Sequence, residues 1–269
     1  MKTQISIIGC GWLGLSLAQK LVEEDYTVNG STTSKDKLQV LQKHRINPFL
    51  ITLTETSISG SYSEFLTGSA TVIINIPPGL RNNPNKNHVA EIKLLIYEIE
   101  KHGIKNVLYI SSTSVFEDGQ NFPVITDKIV PNTTSESGKQ LIEIEQMLQA
   151  NSNFKTTILR FGGLVGDERH PAKFLSGKTN ISNPEAPINL IHKTDCLAII
   201  SSILKNKLWN ITLNAAYPEH PNKDVYYVNY CKHHNLPLPK FNSSEKSKGK
   251  IIESKLVVQL LNYTFKVSP

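Results

Sequence analysis

The sequence predicts an α/β fold in which a doubly wound parallel sheet is followed by a small C-terminal lobe. Strand-like and helix-like segments alternate along the first 165 residues, which is the pattern of parallel βαβ units. The strand-like segments are continuous apolar runs, as expected where both faces of a sheet are buried. A glycine-rich turn, GCGWLG at residues 9–14, directly follows the first of these runs.

The individual elements follow from local patterns. Apolar runs predict six strands, at Gln4–Ile8, Thr27–Ser31, Asn47–Leu53, Ala70–Ile76, Asn106–Ser111 and Thr156–Phe161. Helical periodicity between them predicts helices at Leu13–Glu24, Lys35–His44 with Ser34 as its cap, Asn87–Lys101 and Glu136–Leu148. The fourth strand ends at Pro77-Pro78, because proline cannot donate a hydrogen bond to a central sheet ladder.

The pattern weakens after Gly166. A loop rich in glycine, proline and asparagine is expected through Asn189, followed by a helix at Thr194–Leu204 that Thr194 caps, a strand at Asn210–Asn214, a helix at Lys223–His234 and a short terminal helix. We therefore expect a dinucleotide-binding core at residues 1–166 and a small interleaved substrate lobe at residues 167–269, forming one compact unit.

Composition narrows the class of protein. The chain has no run of 18 apolar residues, so no membrane span is expected. Its first residues imitate a secretory signal, but only nine residues precede Cys10, too few for a charged and then apolar leader. The three cysteines are scattered, without a CxxC pair. This spacing favours reduced thiols in a cytoplasmic protein over disulfides or a metal site.

The net charge of +6 is unevenly distributed along the sequence. Residues 170–269 contain 13 Lys/Arg and 6 Asp/Glu, whereas residues 1–169 contain 16 and 17. The excess is explained either by a solvated lysine-rich face or by a small anionic substrate, which positive charge would attract. Nucleic acid is not expected, because the cluster at Lys246, Lys248 and Lys250 lacks interleaved aromatic residues.

The glycine turn carries the first functional signal. In a GxGxxG turn between a strand and a helix, the first glycine permits the sharp turn and the second lets the backbone approach a pyrophosphate. The third allows close packing of helix and strand. We therefore expect a Rossmann-type dinucleotide site, with cofactor contacts from Gly9, Cys10, Gly11, Trp12, Leu13 and Gly14.

The end of the second strand bears on which dinucleotide binds. Sites that prefer NAD place an acidic residue there to accept from the ribose 2′-hydroxyl. Here no acid occurs before Asp36, and hydroxyls with a lysine suit a 2′-phosphate. The alternative is that these residues only begin the next helix. The sequence favours NADP over NAD, with contacts from Ser31, Thr32, Thr33 and Lys35.

Four segments together resemble the extended and atypical short-chain dehydrogenase/reductases, the NAD-dependent epimerase/dehydratase group. The first is the glycine turn, and the second is LYISSTSVFED at 108–118, which is similar to the family's SSxxVYG. The third is LRFGGLVG at 159–166, which is similar to LRxxxxYG. The fourth is NLIHKTD at 189–195, which is similar to N-x-I-H-x-x-D. The resemblance covers most of the chain, and it depends on the order and spacing of these segments.

The resemblance implies a catalytic arrangement. Family members carry YxxxK, in which the tyrosine exchanges a proton with the substrate and the lysine holds the nicotinamide ribose. Lys139 matches that lysine, and Ser112 matches the strand-end hydroxyl that binds the reacting oxygen. Ser135 stands where the tyrosine is expected. A serine hydroxyl is a far weaker acid than a tyrosine phenol, and its side chain is too short to reach the same place. Either another group transfers the proton or the family's usual chemistry is absent.

Further contacts are expected around the same pocket. Asn75 and Pro77 follow the fourth strand, where ligands bind in open α/β sheets, and are expected to contact the cofactor. Substrate contacts are expected from Thr113, Arg160, Arg169 and His192. For Arg160 the alternative is a buried ion pair, for Arg169 a solvated loop, and for His192 a structural role.

Three functions are consistent with these features. The first is an NADP-dependent oxidoreductase or epimerase/dehydratase that acts on a small anionic or sugar-like substrate, as a monomer or homodimer. The second is a non-catalytic NADP-sensing protein, which the serine at position 135 suggests. The third is a glycine-motif hydroxyacid dehydrogenase, which the short, loop-rich C-terminal region disfavours because those enzymes have a helical domain there.

Overall fold

The computed structural model describes residues 2–166 and 168–269. The strands are β1 (Gln4–Ile8), β2 (Thr27–Thr32), β3 (Asn47–Leu53), β4 (Ile58–Gly60), β5 (Thr71–Ile74), β6 (Asn106–Ser112), β7 (Val124–Ile125), β8 (Lys155–Phe161), β9 (Gly163–Val165), β10 (Leu190–His192), β11 (Ile211–Ala215) and β12 (Ile251–Ile252). The helices are α1 (Trp12–Glu23), α2 (Asp36–Lys43), α3 (Tyr62–Leu66), α4 (His88–Lys101), α5 (Glu136–Ala150), α6 (Ala172–Leu175), α7 (Lys193–Lys205), α8 (Lys223–His233) and α9 (Lys255–Leu261).

A mostly parallel sheet forms the centre of the fold. In the described residues its eight strands lie in the order β11-β8-β6-β5-β1-β2-β3-β4. Strand β1 pairs in parallel with both β2 and β5, β2 with β3 and β5 with β6, whereas the short edge strand β4 is antiparallel to its neighbour β3. The chain builds outward from β1 to β3 and then returns to β5, so the strand order reverses beside β1. Open α/β sheets bind ligands at the carboxyl ends of strands flanking such a reversal.

The predicted α/β fold is confirmed, and every predicted element is present with ends within two residues of the prediction. Continuous burial explains this agreement, because β5 is buried along its whole length and β1 along all but its first residue. Seven short elements were not predicted: β4, α3, β7, β9, α6, β10 and β12. Helix α6 lies in the segment that was expected to be a loop. Two to five residues contain too few periods of either pattern to be recognised.

Two predicted helix caps were wrong. Helix α7 begins at Lys193, so Thr194 lies inside it, and the Thr194 amide donates to Nδ1 of His192 at 3.2 Å. Ser34 does not cap α2 through its side chain. Its own amide instead donates to Oγ1 of Thr32 at 3.2 Å, and Lys35 occupies the cap position. In both places the backbone amide of the predicted cap residue donates to a side chain two residues earlier in the chain.

The chain divides into two compact units. The first contains residues 1–112, 135–159 and 200–212, and the second contains 113–134, 160–199 and 213–269. Residues 113–134 and 160–166 of the predicted core therefore lie in the second unit, and residues 200–212 of the predicted lobe lie in the first. The first unit contains 15 Lys/Arg and 12 Asp/Glu, and the second 14 and 11. The charge asymmetry along the sequence is thus not an asymmetry between folded units.

The second unit has its own small core. Two parallel strand pairs, β9 with β10 and β7 with β12, are included in it. A cluster of buried side chains joins the β9–β10 pair to helices α6 and α8, formed by Val165, Ala172, Ile188, Leu190, Tyr227 and Cys231. Across the portion of the chain that is described, no helix is both long and apolar enough to cross a membrane.

Candidate functional site

A groove of about 260 Å³ lies in the first unit at the carboxyl ends of β1, β2, β3 and β5. Its walls come from the glycine turn, the end of β2 and the segments after β3 and β5. They are formed by Ile8, Gly9, Cys10, Gly11, Ser31, Thr32, Thr33, Lys37, Ile51, Leu53, Asn75, Ile76, Pro77, Lys86 and Glu91. The groove lies where the reversal of strand order predicts a ligand.

Three hydrogen bonds fix the glycine turn. The Gly9 amide donates to Oγ of Ser31 at 3.0 Å, and the Cys10 amide donates to the Ser31 carbonyl oxygen at 2.8 Å. Nδ2 of Asn75 donates to the Gly9 carbonyl oxygen at 2.9 Å. Gly9 has a φ of +100°, which non-glycine residues rarely adopt. Ser31 and Asn75 therefore stabilise the backbone conformation of the glycine turn.

The glycines of the turn differ in what surrounds them. A Cβ on Gly9 would overlap the Asn75 carbonyl oxygen, and one on Gly14 would overlap the Gly9 carbonyl oxygen. A Cβ on Gly11 would meet no protein atom within 4 Å. Packing therefore requires glycine at positions 9 and 14 but not at 11. The open space at Gly11 fits a ligand that approaches the backbone closely, as a dinucleotide pyrophosphate does.

The start of α1 suits an anion. Gly11 is its cap residue, without a side-chain hydrogen bond, and its first turn contains no acidic residue. Helix N-termini attract phosphate through their free amides and the helix dipole. Burial raises the pKa of Cys10 to about 12, so its thiol is neutral beside the turn. Leu13 is buried in the core, and Trp12 is half-buried at the first helical position.

The end of β2 separates the predicted cofactor contacts into two groups. Ser31 is only 2 % exposed and its hydroxyl accepts from Gly9, while Oγ1 of Thr32 accepts from Ser34. Thr33 is exposed and lines the groove. Among the described side chains, Lys37 rather than Lys35 lines this part of the groove. The cofactor contact expected from Lys35 stays a prediction.

A second cation and a carboxylate line the groove from the segment after β5. Nζ of Lys86 lies 2.9 Å from Oε2 of Glu91, which also accepts from Nδ1 of His88 at 2.8 Å. Burial lowers the pKa of His88, although Glu91 acts in the opposite direction. Gln140 on α5 accepts from the His88 amide at 2.9 Å and donates to the Lys86 carbonyl oxygen at 3.0 Å. Lys86 and Glu91 were missed because no motif contains them.

Ser112 and Lys139 both belong to the first unit. Ser112 is the half-buried last residue of β6, and Lys139 is exposed in the first turn of α5. The hydroxyl of Ser111 donates to Oε1 of Glu145 at 2.6 Å, and both residues are buried. This bond ties the strand that carries Ser112 to the helix that carries Lys139. Sequence reasoning missed it, because neither residue is part of a recognised motif.

Ser135 is the N-cap of α5. Its φ of −69° and ψ of 140° are extended, and its Oγ accepts from the Gly138 amide at 3.2 Å. The position at which the resemblance leads us to expect a tyrosine therefore lies just before the helix. Its hydroxyl satisfies an amide of the first turn, which gives this serine a structural role independent of any chemistry.

Replacing Ser135 by alanine is expected to lower the free energy of unfolding by about 1 kcal/mol, because an N-cap is lost. Ser135→Asp retains a capping oxygen and is expected to leave stability nearly unchanged. Urea unfolding followed by circular dichroism measures both variants. An alanine variant as stable as the parent would contradict the capping role.

In the second unit, Thr113 and Arg160 both contact Phe116. Thr113 is buried, and its carbonyl oxygen accepts from the Phe116 amide at 3.2 Å. The Arg160 guanidinium lies 5.1 Å from the centre of the Phe116 ring, and the residue is 5 % exposed. Stacking of a cation on an aromatic face stabilises this burial.

Arg169 and His192 each lie next to Gly166. The Gly166 and Arg169 backbones exchange two hydrogen bonds of 3.0 and 2.9 Å, and Gly166 has a φ of +139°. A Cβ on Gly166 would lie 3.0 Å from Nε2 of His192. His192 is half-buried at the end of β10, and Arg169 is exposed. Within residues 2–166 and 168–269, no three His, Cys, Asp or Glu side chains are arranged to hold a metal ion.

Comparison with known proteins agrees with this architecture. A family model described as NAD(P)H-binding matches residues 9–192, beginning at the first glycine of the turn. Protein YeeZ of Escherichia coli K12 is 29% identical over 264 residues, covering 97% of this chain and 95% of YeeZ.

Solved structures share the fold at low identity. A functionally unknown conserved protein from Silicibacter pomeroyi has a TM-score of 0.80 at 18% identity, covering 99% of this chain and 94% of that one. MoeE5, solved with UDP-glucose and NAD, has a TM-score of 0.79 at 15% identity, covering 98% and 94%. The chain therefore belongs to the NAD(P)H-binding family, with the fold of the extended short-chain dehydrogenase/reductases and NAD-dependent epimerase/dehydratases.

Proposed function

We propose that the chain binds NADP(H) in preference to NAD(H) and acts as an oxidoreductase or epimerase/dehydratase on a small anionic or sugar-like substrate. The observation that carries the cofactor preference is the end of β2, where Thr33 and Lys37 line the groove and no acidic residue occupies the strand end. A carboxylate there would repel a 2′-phosphate, whereas a lysine and a hydroxyl bind one.

The remaining charges in the groove are compatible with a phosphate-rich ligand. Glu91 is the acidic residue among the groove-lining side chains, and its carboxylate is paired with Lys86 and hydrogen-bonded to His88. The pair presents little net negative charge to the ligand. The amides at the start of α1 and the open space at Gly11 supply the complementary surface for the pyrophosphate.

The substrate class rests on relatives rather than on charge. MoeE5 was solved with UDP-glucose, and a Thermotoga maritima protein of the same fold is a UDP-glucose 4-epimerase. Sugar nucleotides combine a sugar with phosphate charge, which is the combination that the exposed Arg169 and the half-buried His192 suit. Arg160, held against Phe116, would instead shape the wall of the substrate site.

Different residues of the chain would bind the cofactor and orient the substrate at the reacting carbon. The bound nicotinamide supplies hydride chemistry. Ser112 would hydrogen-bond the reacting oxygen, and Lys139 would hold the cofactor ribose. Ser135 is committed to capping α5, so we assign it no proton transfer. The proton would therefore come from another group, such as solvent or the substrate itself.

Lys37→Ala is expected to weaken NADPH binding about 10- to 100-fold and to leave NADH binding nearly unchanged, because a charge-assisted bond to a phosphate contributes about 1.5–3 kcal/mol. Titration of each variant with NADPH and with NADH, followed by nicotinamide fluorescence, measures both affinities. Lys35→Ala is the matched control, since Lys35 is exposed on the same segment and does not line the groove.

Thr33→Asp sharpens the same test. It places a carboxylate in the groove and is expected to reduce NADPH affinity while preserving NADH affinity, and Thr33→Asn controls for shape without charge. Equal losses for both cofactors, or a parent protein that prefers NADH, would contradict the proposed preference.

The second candidate is a non-catalytic NADP-binding protein, which the capping role of Ser135 favours. Turnover separates the two. Reduction or oxidation of NADP(H) with a panel of sugar nucleotides, aldehydes and alcohols supports the enzyme if Ser112→Ala and Lys139→Ala both abolish it. Tight NADPH binding without turnover across the panel supports the binding protein.

A further inference from the structure

Three side chains outside the groove form a serine–histidine–acid arrangement in the first unit. Ser63 lies in α3, Glu98 lies in the last turn of α4, and His102 directly follows α4. None of the three lines the cofactor groove. Oγ of Ser63 is 2.9 Å from Nε2 of His102.

The hydrogen bond on the far side of the ring determines the direction of this contact. Nδ1 of His102 lies 2.7 Å from the carbonyl oxygen of Glu98. A carbonyl oxygen only accepts, so Nδ1 carries the proton. In the neutral ring Nε2 then has the lone pair, and the Ser63 hydroxyl must donate to it. This is the arrangement by which a histidine activates a serine nucleophile.

The Glu98 side chain supplies the third member. Its Oε2 is buried and makes no hydrogen bond to any described residue, yet it lies 3.8 Å from Nδ1 of His102. Nζ of Lys101, also 3.8 Å away, is the other charge near it. A buried carboxylate oxygen without a donor would stabilise the imidazolium that forms when Nε2 takes a proton. The carbonyl groups at the end of α4 act in the same direction.

Access distinguishes this serine from a buried structural one. Ser63 is exposed, whereas His102 is half-buried, so a reagent can reach the hydroxyl while the base is held in place. The serine hydroxyls at β1 and β6, Ser6 and Ser111, are buried and bonded to other groups.

We propose that Ser63 is an acyl-accepting nucleophile, with His102 as its general base and Glu98 as a positioning residue. Oγ of Ser63 attacks the carbonyl carbon of an activated ester or thioester, and its proton passes to Nε2 of His102. The carbonyl–oxygen or carbonyl–sulfur bond to the leaving group breaks, and the leaving group receives the proton. The product is an ester on Ser63, formed without any change of oxidation state and independently of the dinucleotide.

The test uses the full chain and p-nitrophenyl acetate. Release of p-nitrophenolate is followed by absorbance, and mass spectrometry of proteolytic peptides locates the acetyl group. We expect one acetyl on Ser63, none at that site in Ser63→Ala, and a loss of about 100-fold or more in its rate of formation in His102→Gln. Glu98→Gln is expected to slow the acetylation step at saturating ester while leaving the KM for the ester unchanged, which loss of packing alone would not do.

Ser61→Ala is the matched control, because Ser61 is exposed two residues earlier and makes no side-chain cap bond. It is expected to leave acetylation of Ser63 unchanged. Unaltered NADPH binding and melting temperature in Ser63→Ala would show that the fold is intact. Acetylation of Ser63 no faster than that of Ser61, or a rate that His102→Gln does not change, would overturn the proposal and make the contact a structural link between α3 and α4.

Discussion

Replacing Gly11 by alanine is expected to weaken dinucleotide binding about 100-fold, or by about 2.8 kcal/mol, with little effect on folding. The added Cβ would meet no protein atom within 4 Å, so it strains nothing in the free protein. It would occupy the space through which the pyrophosphate approaches the amides of α1. Loss of a glycine cap and the smaller entropy of the unfolded chain act in opposite directions on stability, each by less than about 1 kcal/mol.

Gly14→Ala is the matched contrast within the same turn. Its Cβ would overlap the Gly9 carbonyl oxygen and press on Nδ2 of Asn75, and neither neighbour is free to move because they bond each other. We expect a loss of about 3 kcal/mol or more in unfolding free energy, and a melting temperature lower by about 10 °C. Differential scanning fluorimetry and NADPH titration on both variants give the comparison. A destabilised Gly11→Ala protein, or one that binds NADPH as the parent does, would remove the argument that position 11 is kept open for a ligand.

The turn also shows why this part of the fold was predictable. Most strands of the sheet centre contain an apolar run, although β2 (TVNGST) does not, and the glycine spacing reflects three separate backbone requirements in six adjacent residues. Such local patterns can be recognised in the sequence without knowledge of tertiary contacts. The predicted fold class and the position of the dinucleotide groove followed from them.

Other parts of the site depend on contacts that no local pattern contains. Lys37 lines the groove from the first turn of α2, whereas Lys35 stands just before that helix, and residues two apart on a helix point in nearly opposite directions. Lys86 and Glu91 reach the groove from the segment after β5, whose course is fixed partly by Gln140 of α5. The spacing to Lys139 predicts a tyrosine at position 135, and only the extended backbone of Ser135 and its bond to the Gly138 amide show that it caps a helix.

The segment NLIHKTD shows the same limit within seven residues. From its resemblance to a family motif we expect a substrate contact at His192. Asn189 binds the tail of the second unit, accepting from the Ile252 amide at 2.8 Å and donating to the Lys250 carbonyl oxygen at 2.8 Å. Half-buried His192 remains a predicted substrate contact. The resemblance identified the segment in the sequence, whereas its hydrogen bonds in the structure show that its residues have different roles.

The second large effect that we expect is on stability, from replacing Asp195 in this segment. It is fully buried and accepts from the Tyr263 hydroxyl at 2.6 Å, from the Lys266 amide at 2.8 Å and from the Val267 amide at 3.2 Å. Burial, together with this carboxylate, raises the pKa of Tyr263, so the phenol stays a neutral donor. All four residues belong to the second unit. Asp195 therefore fastens the C-terminal residues to the start of α7.

Asp195→Ala is expected to lower the unfolding free energy by about 3–5 kcal/mol, because it leaves a buried hydroxyl and two amides without an acceptor. Tyr263→Phe removes one of the three bonds and is expected to cost about 1.5 kcal/mol. Urea unfolding measures both, and hydrogen exchange at the Lys266 and Val267 amides reports release of the tail. His192→Ala, three residues earlier, should change stability far less. If Asp195→Ala were as stable as His192→Ala, with both tail amides still protected, the tail would be held by its apolar contacts and not by this carboxylate.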